Sequence, residues 1–197
     1  MNILSVSLDR KVFEEGSAVR SRLLEYGRLV DELRIIVFAK RSAHVGAESF
    51  PPNIFLYPTN TRTRFGYIPS AVRTAIALKK QGVVVDVVTA QDPFETGLTA
   101  FLIARILGAR LHLQIHTDLL SPHFARESLM NRARVLLARY LLPRAHAVRV
   151  VSHHIKRSIE KIVKPEVPVI VLPIFVDIEN ITNAPVVHDI KKEYPQF

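Results

Sequence analysis

The sequence predicts an α/β domain of the Rossmann-like, doubly wound kind, with a mostly parallel sheet of about seven strands and helices on both faces. Short β-branched runs alternate with segments of helical period along the chain, which is the pattern of repeated βαβ units. Several runs are almost continuously apolar, residues 83–88 among them, as strands covered on both sides are; an antiparallel sandwich would alternate more cleanly. With 197 residues and 48% hydrophobic content the chain can bury one good core.

The first strand is expected over residues 3–7, since the apolar start lacks the charged head and cleavage site of a secretion signal. A helix follows Gly16-Ser17, with Ser17 as its N-cap and Val19, Leu23, Tyr26 and Val30 as its buried face. Strands at 34–39 and 53–57 come next, separated by an irregular stretch over 41–52. A second irregular stretch, 59–69, is rich in threonine and arginine and reads as a loop near a site. Pro69 is expected to open a helix carrying Val72 and Ile76, which Gly82 ends.

The strand over 83–89 leads into Asp92-Pro93-Phe94-Glu95, a capping box with proline at the first helical position. The helix behind it shows Leu98, Phe101, Leu102 and Ile106 at helical spacing and stops at Gly108. After the strand over 111–116, a basic amphipathic helix spans 128–142. Its Leu129, Ala133, Leu136, Leu137 and Tyr140 are expected to pack on the sheet, while Arg132 and Arg139 share a flank open to lipid headgroups. A strand over 147–151, a helix capped by Ser152 and a strand over 167–172 complete the domain, taken as residues 1–176. Residues 177–185 are a linker by composition, and 186–194 a short helix that would open a second, truncated domain.

Charged residues make up 23% of the chain and aromatics 8%, ordinary values for a globular protein. The absence of cysteine removes disulfides, thiolate zinc sites and cysteine nucleophiles, and makes the cytoplasm the default compartment. No apolar run approaches the roughly 18 residues needed to cross a bilayer, so membrane association is expected only as a peripheral contact at the inner face. The net charge of +9 is concentrated between Arg126 and Lys164, where ten bases face only Glu127 and Glu160. That stretch reads equally as a solvated helix surface or as a site for anionic partners. No recognition-helix pattern or aromatic-rich strand motif supports nucleic acid as the partner.

In open parallel sheets ligands bind outside the carboxyl ends of the strands. The residues expected there are Gly16 and Ser17, then Asp92, then His116-Thr117-Asp118, then Ser152. Asp92 and Ser152 are also natural helix caps, and a single glycine at position 16 is not a dinucleotide fingerprint. His116 is the most informative of them, because it ends an apolar strand and can exchange a proton or a hydrogen bond near neutral pH. His112 and His116 lie four apart on a strand, about 13 Å between Cα atoms, too far for one metal ion. His153 and His154 are adjacent and point apart, so no metal site is expected. The nucleophile elbow, the phosphate-binding loop and the zinc-protease helix motif are all missing from the sequence, which removes the usual support for hydrolase, nucleoside-triphosphatase and metalloprotease functions.

Four segments in this order and spacing resemble the family 4 retaining glycosyltransferases: residues 87–93, 113–118, 145–152 and 169–177. The resemblance implies one half of a GT-B architecture, in which two Rossmann-like domains face each other across a cleft and the first binds mainly the acceptor. It implies transfer of a sugar from a nucleotide-sugar to a hydroxyl of a polysaccharide, glycolipid or lipid-linked glycan, with no cofactor and no metal. His116 matches the histidine that faces the transferred sugar and donor phosphates in the family. Gly16 falls in the loop that approaches the donor phosphate, while Asp92 and Asp118 match less consistent acidic positions. The sequence departs from the family where Glu14-Glu15-Gly16 replaces two adjacent glycines and Pro173-Ile174-Phe175-Val176-Asp177 replaces a proline–asparagine–glycine turn. The family's basic pair and paired glutamates of the second domain are not in this sequence, so the chain by itself is expected to be inactive.

Overall fold

The apolar runs become strands where they have neighbours to pair with. A computed structural model of the chain describes residues 1–174 together with Ile178 and Thr182. The expected short helix over 186–194, Phe175–Asp177 of the proline segment, and all of the expected linker but those two residues lie outside the described residues. The strands are β1 (Asn2–Ser7), β2 (Glu32–Val37), β3 (Glu48–Phe50), β4 (Ile54–Pro58), β5 (Val87–Ala90), β6 (Arg110–Ile115), β7 (Ala147–Val150) and β8 (Val169–Val171). They form one sheet in the order β3-β4-β2-β1-β5-β6-β7-β8, parallel throughout except for β3 against β4.

The doubly wound reading is correct, with eight strands in place of about seven. The additional one, β3, lies in the stretch expected to be irregular. Its three residues, close to Gly46 and Pro51-Pro52, are too few to show alternation, and pairing with β4 defines it. The long valine run also shortens. Pairing begins at Val87 because Ile3 of β1 and Arg110 of β6 are its first partners, and Val84 is left outside the ladder and exposed.

Helices α1 (Ala18–Gly27), α2 (Tyr67–Lys80), α3 (Glu95–Leu107), α4 (Pro122–Glu127), α5 (Leu129–Leu141) and α6 (His153–Ile159) cover the sheet. Strand alternation divides the core in two. Leu4 and Val6 of β1, Val88 of β5, Leu113 of β6 and Val148 of β7 pack with Ala75 of α2, Ile103 of α3, Ala138 of α5 and Ile159 of α6. On the opposite face Leu33 and Ile35 of β2 and Leu56 of β4 pack with Val19 and Leu23 of α1. Connections to the left of β1 therefore run over one face and those to its right over the other, and the strand order reverses between β1 and β5.

Capping follows the sequence at α1 and α6, where Ser17 and Ser152 accept hydrogen bonds from the Arg20 and Ile155 amides, and Ser128, expected inside its helix, caps α5 by accepting from the Asn131 amide. Four expectations are corrected. Tyr26 is 54% exposed, and the buried place on that turn of α1 is taken by Gly27, which lies against Ile54. The capping box does not form: α3 starts at Glu95, and Asp92 instead accepts from the Phe94 amide at 2.8 Å in the turn before it. Helix α2 starts at Tyr67, two residues before Pro69, and buries Ala71, Ala75 and Leu78 in place of Ile76. The largest correction concerns α5, whose stripe of Leu129, Ala133, Leu136 and Tyr140 faces solvent. The helix rests on Asn131, Ala138 and Leu141.

Candidate active site

Because β1, β5, β6 and β7 are parallel neighbours, their carboxyl ends emerge on one rim. At about 4.8 Å per strand the four ends span about 14 Å. The loop after β1 carries Gly16 and Ser17, that after β5 Gln91 and Asp92, that after β6 His116, Thr117 and Asp118, and that after β7 Ser152 and His154. The sequence-predicted residues thus share an edge that includes the point where strand order reverses.

At the reversal, the buried Ser7 hydroxyl donates to the Gln91 side-chain oxygen at 3.2 Å and accepts from the Asp9 amide at 3.0 Å. The two loops that diverge from β1 and β5 are tied at their roots. Asp9 then accepts from the Lys11 amide and starts a short 3-10 turn, which delivers the chain to Gly16. Gly16 adopts φ +74° with open space around its α-carbon. Ser17 is already occupied, donating to the Lys11 carbonyl at 2.5 Å while capping α1. Glu14 and Glu15 are exposed beside it. A depression of about 570 Å³ beside this loop is lined by Asp9, Lys11, Phe13, Ala43 and Val45 among others.

His116 is exposed, directly beyond the last residue of β6. Loss of part of its solvent shell, reinforced by the Arg149 guanidinium and opposed by Asp92, lowers its pKa below the ordinary 6.5, which favours the neutral ring. Asp92 is shifted upward, chiefly by burial, against the stabilising bonds from Phe94 and Thr96. Asp118 bonds the His154 ring at 3.0 Å, joining the loops after β6 and β7, and its second carboxylate oxygen is buried without a hydrogen-bond partner among the described residues. Ser152 is placed as a cap, with its oxygen 3.3 Å from the Ile155 amide.

Beneath the rim runs a polar row that sequence reading missed. The His112 ring and Thr89 hydroxyl are 2.8 Å apart, Gln114 donates to Thr89 at 3.4 Å, and Arg149 donates to Gln114 at 2.8 Å. Arg149 also donates to the carbonyls of Leu172 and Pro173 beyond β8. Its signal was a charged residue inside a four-residue strand, at a position alternating with buried valines. Arg132 and Arg139 are exposed on α5, whose Arg134 reaches Glu95 just beyond the loop after β5. Among the described residues no group of three or more His, Asp or Glu side chains is placed to hold a metal ion.

A family profile described as Glycosyltransferase Family 4 matches residues 26–180. The chain belongs to glycosyltransferase family 4. The family 4 domain is also similar in fold to a sucrose-phosphate synthase from Thermosynechococcus elongatus, with a TM-score of 0.63 and 13% identity over 92% of this chain and 93% of that one. It is similar as well to Phytolacca americana UGT2, solved with UDP-2fluoro-glucose and pterostilbene, with a TM-score of 0.55 and 12% identity over 90% of this chain. This chain spans 55% of the latter's length. A comparison with curated proteins returned no match. The expected Rossmann-like half of a GT-B architecture is therefore correct, and the domain is that of a glycosyl-transferring enzyme.

Proposed function

We propose that this domain forms the acceptor-side half of a retaining glycosyltransferase, which moves a sugar, a hexose by type, from a nucleotide-sugar to a hydroxyl of a polysaccharide, glycolipid or lipid-linked glycan. The observation that carries the reading is the position of His116, an exposed imidazole at the end of β6 on the same rim as the loops after β1 and β5, where partial burial and Arg149 favour its neutral form. A neutral ring donates a hydrogen bond to a sugar hydroxyl or a phosphate oxygen without adding a full charge, and so holds the donor sugar in position. In this reading the bond from the sugar to the diphosphate breaks as the acceptor oxygen bonds to the same face, and the acceptor's proton passes to the departing phosphate. The amide edge at Gly16 and the hydroxyls of Thr117 and Ser152 line the donor side, with Asp92 and Asp118 setting the loops that present them.

Most of the stabilisation of the diphosphate is assigned to a second domain, so the 197-residue chain alone is expected to be inactive. No cofactor or metal is invoked in the step. A reducing, cytoplasmic location agrees with a sequence free of cysteine. The test compares the chain alone with a protein carrying both domains, using nucleotide-sugar turnover as the readout. The two-domain protein is expected to be active and its His116→Ala variant to lose about 10²–10³ in kcat. Turnover by the chain alone would overturn the division between domains; an unchanged kcat in the variant would overturn the role of His116.

A further inference from the structure

Helix α5 is amphipathic in the wrong sense for a helix that only covers a sheet. Its buried side is Asn131, Ala138 and Leu141, while Leu129 is 79% exposed and Leu136 68%, with Ala133 and Tyr140 completing the outward row and Met130, 59% exposed, to one side of it. At 100° per residue the outward row is centred about 160° from the buried one and extends about 16 Å along the axis. Exposing the more apolar side of a helix is unfavourable unless something covers it. Arg126, Arg132, Arg139 and Arg144 are all exposed along this segment, against the single acid Glu127, whereas Arg134 turns inward to Glu95.

We propose that the outer face of α5 docks this domain on an anionic lipid surface. The row is convex rather than grooved, and its apolar centre with arginines on the flank is the pattern of a helix lying in the membrane interface. The Arg144 guanidinium sits 3.8 Å from the Tyr140 ring centroid, so an aromatic with a polar tip and a cation end the row together. No helix among the described residues is long and apolar enough to cross a membrane, and docking requires none. A second copy is a poorer occupant. Antiparallel pairing of two such rows about their midpoint sets the Arg132 of one copy beside the Arg139 of the other, and like charges at a contact repel. A domain closing over the candidate active site would meet the carboxyl rim, whereas the outward row of α5 lies on the side of the helix opposite the core. The proposal rests on this surface alone and stands whether or not His116 has the role given above.

The test is flotation of the 197-residue chain with vesicles of phosphatidylcholine alone or with one third phosphatidylglycerol. Binding is expected only with the anionic lipid and is expected to weaken at high salt. Arg132→Gln with Arg139→Gln should reduce partitioning about 25-fold, taking about fivefold for each cation, and Leu136→Ser about tenfold or more. All three positions are exposed, so circular dichroism should be unchanged. Arg22→Gln with Arg28→Gln, exposed on or just beyond α1, removes the same charge elsewhere and should leave flotation intact. Absence of flotation, or equal loss in the α1 variant, overturns the proposal. So does a dimer in solution that Leu136→Ser dissociates while the vesicles stay empty.

Discussion

Gly97 offers a sharp test of how the core supports the rim. It lies in the first turn of α3, and a β-carbon built there would sit 2.7 Å from the Asp92 carbonyl oxygen and 3.4 Å from a methyl of Leu141. Replacing it by alanine has two opposed effects. Alanine is favoured over glycine in a helix by about 1 kcal/mol. Against this, the contact with Asp92 is far inside the ordinary carbon–oxygen distance, and its partner is backbone, held by the buried Pro93 and by the Thr96 hydroxyl at 3.3 Å. Overpacking of this kind costs about 1–3 kcal/mol. A net loss of about 1–2 kcal/mol follows if the upper part of that range applies, as the fixed carbonyl requires, which lowers Tm by about 2–8 °C in a chain of this size. The measurement is urea unfolding of Gly97→Ala beside Gly46→Ala, whose added carbon meets nothing within 4 Å. Gly46→Ala should be neutral or slightly stabilising. If Gly97→Ala proved as stable as the parent, the close packing of α3 under the Asp92 turn would be refuted.

Two further outcomes follow from polar groups. Burial, then Arg149, holds the His112 pKa below the ordinary 6.5. As pH falls through about 6.5 the unfolded chain takes up a proton that the folded one refuses, so stability declines with acidification below that point. His112→Gln should flatten this part of the stability–pH curve, and an unchanged slope would discount the group. Asn53 donates to the carbonyls of Gly27 at 2.7 Å, Val30 at 2.8 Å and Asp31 at 3.1 Å, closing the turn between α1 and β2. Asn53→Ala is expected to cost about 1–3 kcal/mol in denaturant unfolding, and a loss below about 0.5 kcal/mol would mean that water replaces these bonds freely.

Strand existence was legible because a two-sided parallel sheet requires long apolar runs, and caps were legible where one serine acts on one amide, as at Ser17 and Ser152. What failed depends on neighbours. Val83 and Val84 are as β-prone as Val87 and Val88, yet only the latter lie opposite β1 and β6. In α5 the periodicity was correct and its direction was not: the sequence shows an apolar row, but only packing decides whether Leu136 or Ala138 meets the sheet. The rim around His116 could be placed from strand ends alone. The row from Thr89 through Gln114 to Arg149 could not, because it joins three strands whose register no local pattern encodes.

Arg149 has a reach out of proportion to its place in a four-residue strand. By grasping the Leu172 and Pro173 carbonyls with one guanidinium, at 3.0–3.2 Å, it sets the heading of the polypeptide as it leaves the sheet. The same group tunes the imidazole of His116. Trajectory and proton affinity are thereby yoked to a single side chain, so any rearrangement that pulls the outgoing segment free would also retune the histidine.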